Sequence, residues 1–474
     1  MLVDRYPPAD LFALIPELSA AFEPELRELD RLLDDDEVFR RLKADLARRA
    51  PHSLSRGRPG TPVEVVLRLL VVKRLYGWSY EEVERFVADS LVLRQFCRVY
   101  LERVPDDTTL LRWANLVEPA TLAALNERVV TLARGLQVTR GRKLRLDSTV
   151  VATTIHHPSD SGLLADGVRV LSRLVRRAKA VLGEAATAAG LSRGVFRTRT
   201  RSVRRLVQRL HRLARRKGEG ATERLRHAYA RLIGVARKSR GQAAAVCAAL
   251  RARSEVNARR LGRQFATFLP RVERAIAQAT RRVLKGEAVP AAEKIVSLFE
   301  PHTRIIVRHK AGKPVEFGRK LWLEEVEGGI IAGWRLLEAP GQDAPQLGPS
   351  LTAHRQRFGK PPRLLTADRG VFSPRNEAQA ERAGVRRVAI PAAGRASGTP
   401  ERSRKERQGW FRRGLRFRAG IEGRISVLQR CYGLDRCRDH GERGMGRWVG
   451  WGIVAANLER IARTVAARAQ AQAA

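Results

Sequence analysis

The chain has 474 residues, 44% of them hydrophobic, and 91 Lys and Arg against 49 Asp and Glu give a formal net charge of +42. That apolar content can fill a real core, which excludes wholesale disorder, and the positive excess makes a nucleic acid the expected partner. Cys97, Cys247, Cys431 and Cys437 form no CxxC pair, so neither a zinc site nor a disulfide framework is indicated. No apolar run approaches the roughly 20 residues that cross a bilayer, and the N-terminus is acidic and broken by prolines. A soluble, cytoplasmic protein with no membrane partner is expected.

Residues 1–50 read as short helices with acidic surfaces. After the loop PHSLSRGRPG, Thr61 is expected to cap a helix with Pro62 in its first turn and Glu64 closing a capping box. Ser79 and Glu82 form a second capping box, and further helices are expected over LVLRQFCRVYL and after Pro105-Asp106-Asp107-Thr108. Short helices with tight turns suit a helix-turn-helix unit or a packing-only bundle equally well.

At Lys143 the period changes. LRLDSTVVATTI is rich in β-branched residues and reads as a strand. Helical character then returns and runs to about residue 285; residues 169–285 carry 32 Lys and Arg against 5 Asp and Glu. Apolar residues recur there at three- and four-residue spacing with arginines between them, the pattern of amphipathic helices with basic faces. Breaks are expected near Gly190, Gly218 and Gly241. From about residue 295 two or three antiparallel strands follow, with turns at 311–313 and at Gly328-Gly329. Then come a helix over 344–358, the buried strand RLLTAD, the helix SPRNEAQAERAG and the strand VRRVAIP. A polar loop RASGTPERSRKERQGW, a helix over 411–430 and a closing helix complete the chain.

This order implies an α/β, mixed α+β fold in which a mixed sheet is flanked by helices. The expected domains are an N-terminal helical, helix-turn-helix-like DNA-binding domain (1–135) and a sheet domain (136–160 with 290–445). A basic helical insertion (161–289) and a C-terminal helix (446–474) complete the division.

Three acidic residues stand out. Asp147 and Asp368 lie in apolar, strand-like runs, and Glu422 lies on the helix RFRAGIEGRISVLQR. A carboxylate in a buried strand is costly unless paired or bound to a metal. Carboxylates from separate elements could hold two divalent ions for phosphodiester chemistry. Each also has a plain reading: a satisfied core group, a local pair of Asp368 with Arg369, or a solvated helix charge beside Arg418 and Arg424. Phosphate contacts are expected from Arg369, Arg418, Arg424 and Arg430, and from Lys310 and Lys313 beside the hairpin turn. Asp160 and Asp166 read as loop acids that cap. The adjacent His156 and His157 should face opposite sides of a strand. Trp410-Phe411 suits core packing better than stacking on a base.

The DST block, TADRG before a helix, and Arg418 four residues ahead of Glu422 together resemble bacterial insertion-sequence transposases of the Asp-Asp-Glu class. Leu415 and Gln429 stand where that family's Tyr-Arg-Glu-Lys signature has its Tyr and Lys. The resemblance implies a ribonuclease-H-like catalytic domain with Asp147, Asp368 and Glu422 as catalytic and metal-binding residues. It implies two Mg2+ ions, replaceable by Mn2+, and cleavage at element ends followed by strand transfer into target DNA. A homodimer on double-stranded DNA, associated with the nucleoid, follows from the same likeness. Two alternatives stay open: a ribonuclease-H-like nuclease without strand transfer, and a non-catalytic DNA-binding protein derived from a transposase.

Overall fold

The alternation of helical and strand patterning persists in the structure, a computed structural model. It describes residues 1–14, 22–48, 51–54, 56–57, 60–183, 185–310, 313–338, 343–394 and 399–473. Residues 1–154 with 319–474 form one compact unit and residues 155–318 another.

Among the described residues, the first unit begins with seven α-helices: α1 (Pro24–Leu32), α2 (Asp36–Ala47), α3 (Val63–Leu75), α4 (Tyr80–Asp89), α5 (Leu91–Phe96), α6 (Asp107–Ala114) and α7 (Pro119–Gly135). α3 is buried on nearly every side, as a helix that is apolar all round must be. Its expected cap is absent: Pro62 is the N-cap residue and no side chain caps it. Glu64 turns inward to Arg68 at 2.9 Å instead, since a buried guanidinium outcompetes a solvent-facing amide for the carboxylate. The Ser79–Glu82 capping box at α4 is present in full.

Strand β1 (Lys143–Thr153) follows. The second unit is then built from α8 (Asp160–Leu182), α9 (Ala185–Ala188), α10 (Thr200–Ala214), α11 (Ala221–Arg251), α12 (Val256–Ala279) and β2 (Arg304–Lys310). Its helices share one apolar core, with Leu171, Leu232, Phe265 and Val272 at its centre. Gly190 and Gly218 fall between helices with positive φ, but Gly241 lies inside the continuous α11. A mid-helix glycine costs only about 1 kcal/mol, less than the packing of so long a helix returns. Asp160 and Asp166 are buried in α8 rather than in a loop. Asp160 takes bonds from Gln278 and Arg282 at 2.8 and 2.7 Å; Asp166 pairs with Arg169 and faces His156 Nε2 at 3.3 Å.

The chain continues through β3 (Lys313–Val326), β4 (Ile330–Leu337), α13 (Leu347–Phe358), β5 (Leu364–Ala367), α14 (Pro374–Arg382), β6 (Arg387–Ala389), α15 (Pro400–Arg407), α16 (Gly409–Tyr432), β7 (Arg436–Cys437) and α17 (Gly441–Ala473). The fold is mixed α and β with a mixed sheet of seven strands. In the first unit the order runs β4-β3-β1-β5-β6, with β7 beside the end of β1. β1, β5 and β6 are mutually parallel, and β3 and β4 are antiparallel. In the second unit β2 pairs antiparallel with residues 313–318 of β3. The expected turn at 311–313 falls partly outside the described residues.

Within the first unit the N-terminal helices and the sheet share one core, with Leu70, Leu125, Leu146, Trp322 and Leu365 in the same cluster. α17 packs close to α7 because Gly450 leaves room for Leu122; a Cβ there would sit 2.8 Å from it. Asn126 and Asn457 serve the backbone of edge strand β4: Asn457 Oδ1 accepts from Ile331 N–H at 2.9 Å, and its amide donates to the Ile331 carbonyl at 2.8 Å. Satisfying an edge with buried amides removes the unpaired groups that would recruit another strand. The segment read as the loop RASGTPERSRKERQGW contains α15. Thr399 caps it, and buried Arg402 ties it to Glu377 and Glu406 at 2.8 Å each. Among the described residues, no helix is long and apolar enough to cross a membrane.

Candidate active site

The parallel register of β1 and β5 pairs Leu146 with Ala367. Asp147 is the next residue on β1 and Asp368 directly follows the end of β5, so the two come out side by side. α16 crosses the same face of β1. Residues 145, 147 and 149 point one way on a strand, and α16 meets all three: Arg145 donates to the Phe417 carbonyl at 2.5 Å, Arg418 reaches Asp147, and Gln429 donates to Thr149 Oγ1 at 3.0 Å. Close approach requires Gly420, whose Cβ would lie 2.4 Å from Arg145 Nη1.

Arg145 is itself clamped. Its guanidinium makes a two-pronged bond to buried Glu325, at 2.7 and 2.5 Å, and lies 4.7 Å from the centre of the Phe417 ring. Such a fork fixes direction as well as distance. Through Phe417 it sets the height and rotation of the α16 turn that carries Arg418 and Glu422.

The three predicted carboxylates meet at one atom. Arg418 Nη2 lies 3.2 Å from Asp368 Oδ1, 3.6 Å from Glu422 Oε1 and 3.7 Å from Asp147 Oδ2. Asp147 is mostly buried, while Asp368 and Glu422 are open to solvent. Burial pushes the Asp147 carboxyl up to about 6; Asp368 and Asp343 add to the rise, whereas the Ser148 N–H and Arg418 oppose it. Asp368 caps nothing and pairs with Arg418, not with its neighbour Arg369. Among the described residues, no three His, Cys, Asp or Glu are spaced around a metal-sized point as they stand; the guanidinium holds the centre of this cluster.

The cationic residues expected at DNA divide. Arg369 and Arg430 are exposed. Arg424 is turned inward and donates to the Ala456 carbonyl on α17 at 3.2 Å. Lys310 and Lys313 pair through their backbones, and their side chains lie outside the described residues. Gln429 takes part in packing through Thr149. Phe411 is buried, and Trp410 lies 5.5 Å from it, edge to face.

Sequence reasoning missed Asp343. It accepts from Ser148 Oγ at 3.0 Å, pairs with Lys320 at 2.7 Å and adds to the field on Asp147. It sits between β4 and α13 in GQDAP, where a lone Asp signals only a turn. It also missed Arg145, although an arginine inside a buried strand demands a partner.

Neither a curated protein nor a solved structure matches the chain. Residues 11–116 match a family model described as a transposase domain (DUF772). The match ends before β1, so it covers the N-terminal helices and not the carboxylates. It supports a DNA-processing enzyme of transposase type, with DNA as the molecule bound.

Proposed function

We propose that the chain is a DNA transposase with a ribonuclease-H-like, metal-dependent site that cuts DNA at element ends and joins them to target DNA. The observation that carries this reading is the meeting of Asp147, Asp368 and Glu422, from three separate elements, at one nitrogen of Arg418. The transposase-domain match and the β4-β3-β1-β5-β6 order support it.

The donor set suits a hard divalent cation. All three side chains offer oxygen, as Mg2+ requires, with Mn2+ able to replace it. Asp147 is costly to ionise where it lies, a cost that a bound cation offsets. Asp147, Asp368 and Glu422 would hold two ions, which when bound activate the attacking water or 3′-hydroxyl and stabilise the leaving oxygen.

The remaining work belongs to the chain's own residues. Arg418, released from the carboxylates, is placed to meet a non-bridging phosphate oxygen with a charge-assisted bond. Exposed Arg369 and Arg430 neutralise neighbouring phosphates. The Arg145–Glu325 clamp holds α16 at the height the carboxylates need. Cutting and joining are both in-line displacements at phosphorus, so one constellation serves both. Two copies, each holding one end, would let paired ends join one target.

The test uses labelled duplexes from the DNA flanking the gene, a target plasmid and Mg2+. The wild-type chain is expected to give joined product. Asp147→Asn, Asp368→Asn and Glu422→Gln should each lower the rate at least about a thousandfold, the cost of several kcal/mol of charge stabilisation, while still binding DNA. Joined product from any of the three at the wild-type rate rejects the site, and cleavage without joining by the wild-type chain rejects the transfer step.

A further inference from the structure

A cavity of about 750 Å³ opens at the C-terminal end of α16. Lys73 and Arg74 from the end of α3, Trp78 and Tyr80 at the start of α4, Arg430 from α16, and Arg438 with Trp448 on the α17 side form its wall. Cations beside aromatic rings are the chemistry that single-stranded nucleic acid meets on its binding proteins.

Lys73 is the most informative group. Its ammonium rests 4.4 Å from the centre of the Tyr80 ring and 5.8 Å from that of Trp448. No carboxylate among the described residues lies within salt-bridge reach of it. Burial, then Arg74 next to it, pushes this ammonium down to about 8, with Asp439 and Glu82 opposing the fall. Arg74 is already committed: it donates to the Trp448 carbonyl at 2.7 Å and lies over that ring at 3.7 Å. Arg438 is exposed and pairs with nothing described. Asp435 and Asp439 also line the wall, and Asp439 is drawn toward Arg447 at 4.0 Å.

α16 links the cavity to the carboxylates. Gln429, which lines it, stands two helical turns beyond Glu422, about 10 Å along the axis and on the same face. The same Gln429 bonds Thr149, two residues past Asp147 on β1. A separation of about 10 Å is one that the next nucleotides of a strand with one phosphate at the carboxylates can span.

We propose that this cavity takes an unstacked nucleotide of a DNA strand, with its phosphate on Lys73 and Arg438 and its base against the aromatic wall. The inference rests on the DNA-cutting reading above, but its test does not use catalysis. Cys431 lines the cavity and is exposed, whereas Cys97, Cys247 and Cys437 are buried. Alkylation of Cys431 in the full chain therefore reports on this cavity alone.

5′-Phosphorylated dithymidylate is expected to slow alkylation of Cys431 in the wild-type chain and equally in Asp147→Asn. Lys73→Gln should raise the protecting concentration about ten- to a hundredfold, as loss of a charge-assisted bond does. Should Lys73→Gln show no cooperative melting, Arg438→Gln makes the same test at an exposed position, with about tenfold weaker protection expected. Unchanged alkylation at saturating dinucleotide overturns the proposal, as does equal protection of the wild-type and substituted chains. Inorganic phosphate protecting as well as the dinucleotide overturns it in favour of a bare anion site. Loss of strand transfer with protection intact would count against the catalytic reading and leave this one standing.

Discussion

In the unit of residues 1–154 and 319–474, arginines are turned inward onto carboxylates. Arg68 meets Asp30 and Glu64, Arg145 meets Glu325, and Arg357 meets Glu324 and Glu127. In the unit of residues 155–318, α10 turns Arg201, Arg204, Arg205, Arg209 and Arg212 outward, with no described carboxylate in salt-bridge reach. The same residue type does two kinds of work. A buried fork contributes little net stability but fixes direction, and breaking it is expensive. An exposed, unpaired row contributes nothing to the fold and keeps its charge for a polyanion. Net charge alone does not say which is which.

Four measurements break or sharpen this contrast. The largest stability effect belongs to Arg145→Met, which strands the Glu325 carboxylate in the core; a loss of about 3–5 kcal/mol in urea unfolding is expected. Adding Glu325→Gln should recover part of it, and additive losses would mean that the two do not act as a pair.

His354 belongs to the same inward-turned class. Burial pushes its imidazole down to about 4, and its Nε2 lies 3.0 Å from the Gly141 carbonyl. The folded state thus binds the proton less well than the unfolded chain. Stability is complete above about pH 6.5 and falls toward pH 4, by roughly 3 kcal/mol in all. His354→Gln should flatten that part of the pH profile, and an unchanged slope would reject the assignment.

Asp147→Asn tests whether the site is held at a cost. The carboxyl is raised in the folded, metal-free protein, so its stability penalty is absent below about pH 4 and grows as pH rises toward 6. The substitution should therefore stabilise the metal-free protein at pH 7 by up to about 3 kcal/mol while abolishing catalysis. A melting temperature that falls instead would mean the carboxylate is part of the scaffold.

The smallest effect on folding is expected from glutamine at Arg204, Arg205 and Arg209 together, within about 0.5 kcal/mol each. DNA binding should nevertheless lose salt dependence, by about 0.9 in the log–log slope per phosphate contact removed. An unchanged slope would point that face toward a protein.

Much of the architecture was legible locally. The period change at Lys143, the capping box at Ser79 and the short apolar strand before Asp368 are features of neighbouring residues, and the structure keeps them. Misreadings came where a local signal met a distant partner. Glu64 had the spacing of a capping box, but Arg68 took it inward. Arg402 looked like part of a polar loop, but Glu377 and Glu406 fold that loop into α15. Gly241 looked like a break, but the core of the second unit carries α11 through it.

The sequence by itself determined which acids were worth attention and on which elements they sit, because a carboxylate in an apolar run is conspicuous wherever the chain leads. Only the tertiary structure decided that Asp147 and Asp368 are neighbours and that α16 brings Arg418 and Glu422 to them. It alone turned Arg424 toward α17 and brought Asp343 beside Ser148. The reason is one of range. Periodicity and capping are settled within a turn or two of backbone, whereas the electrostatic partner of a charge is whatever the packed elements place within a few ångströms of it.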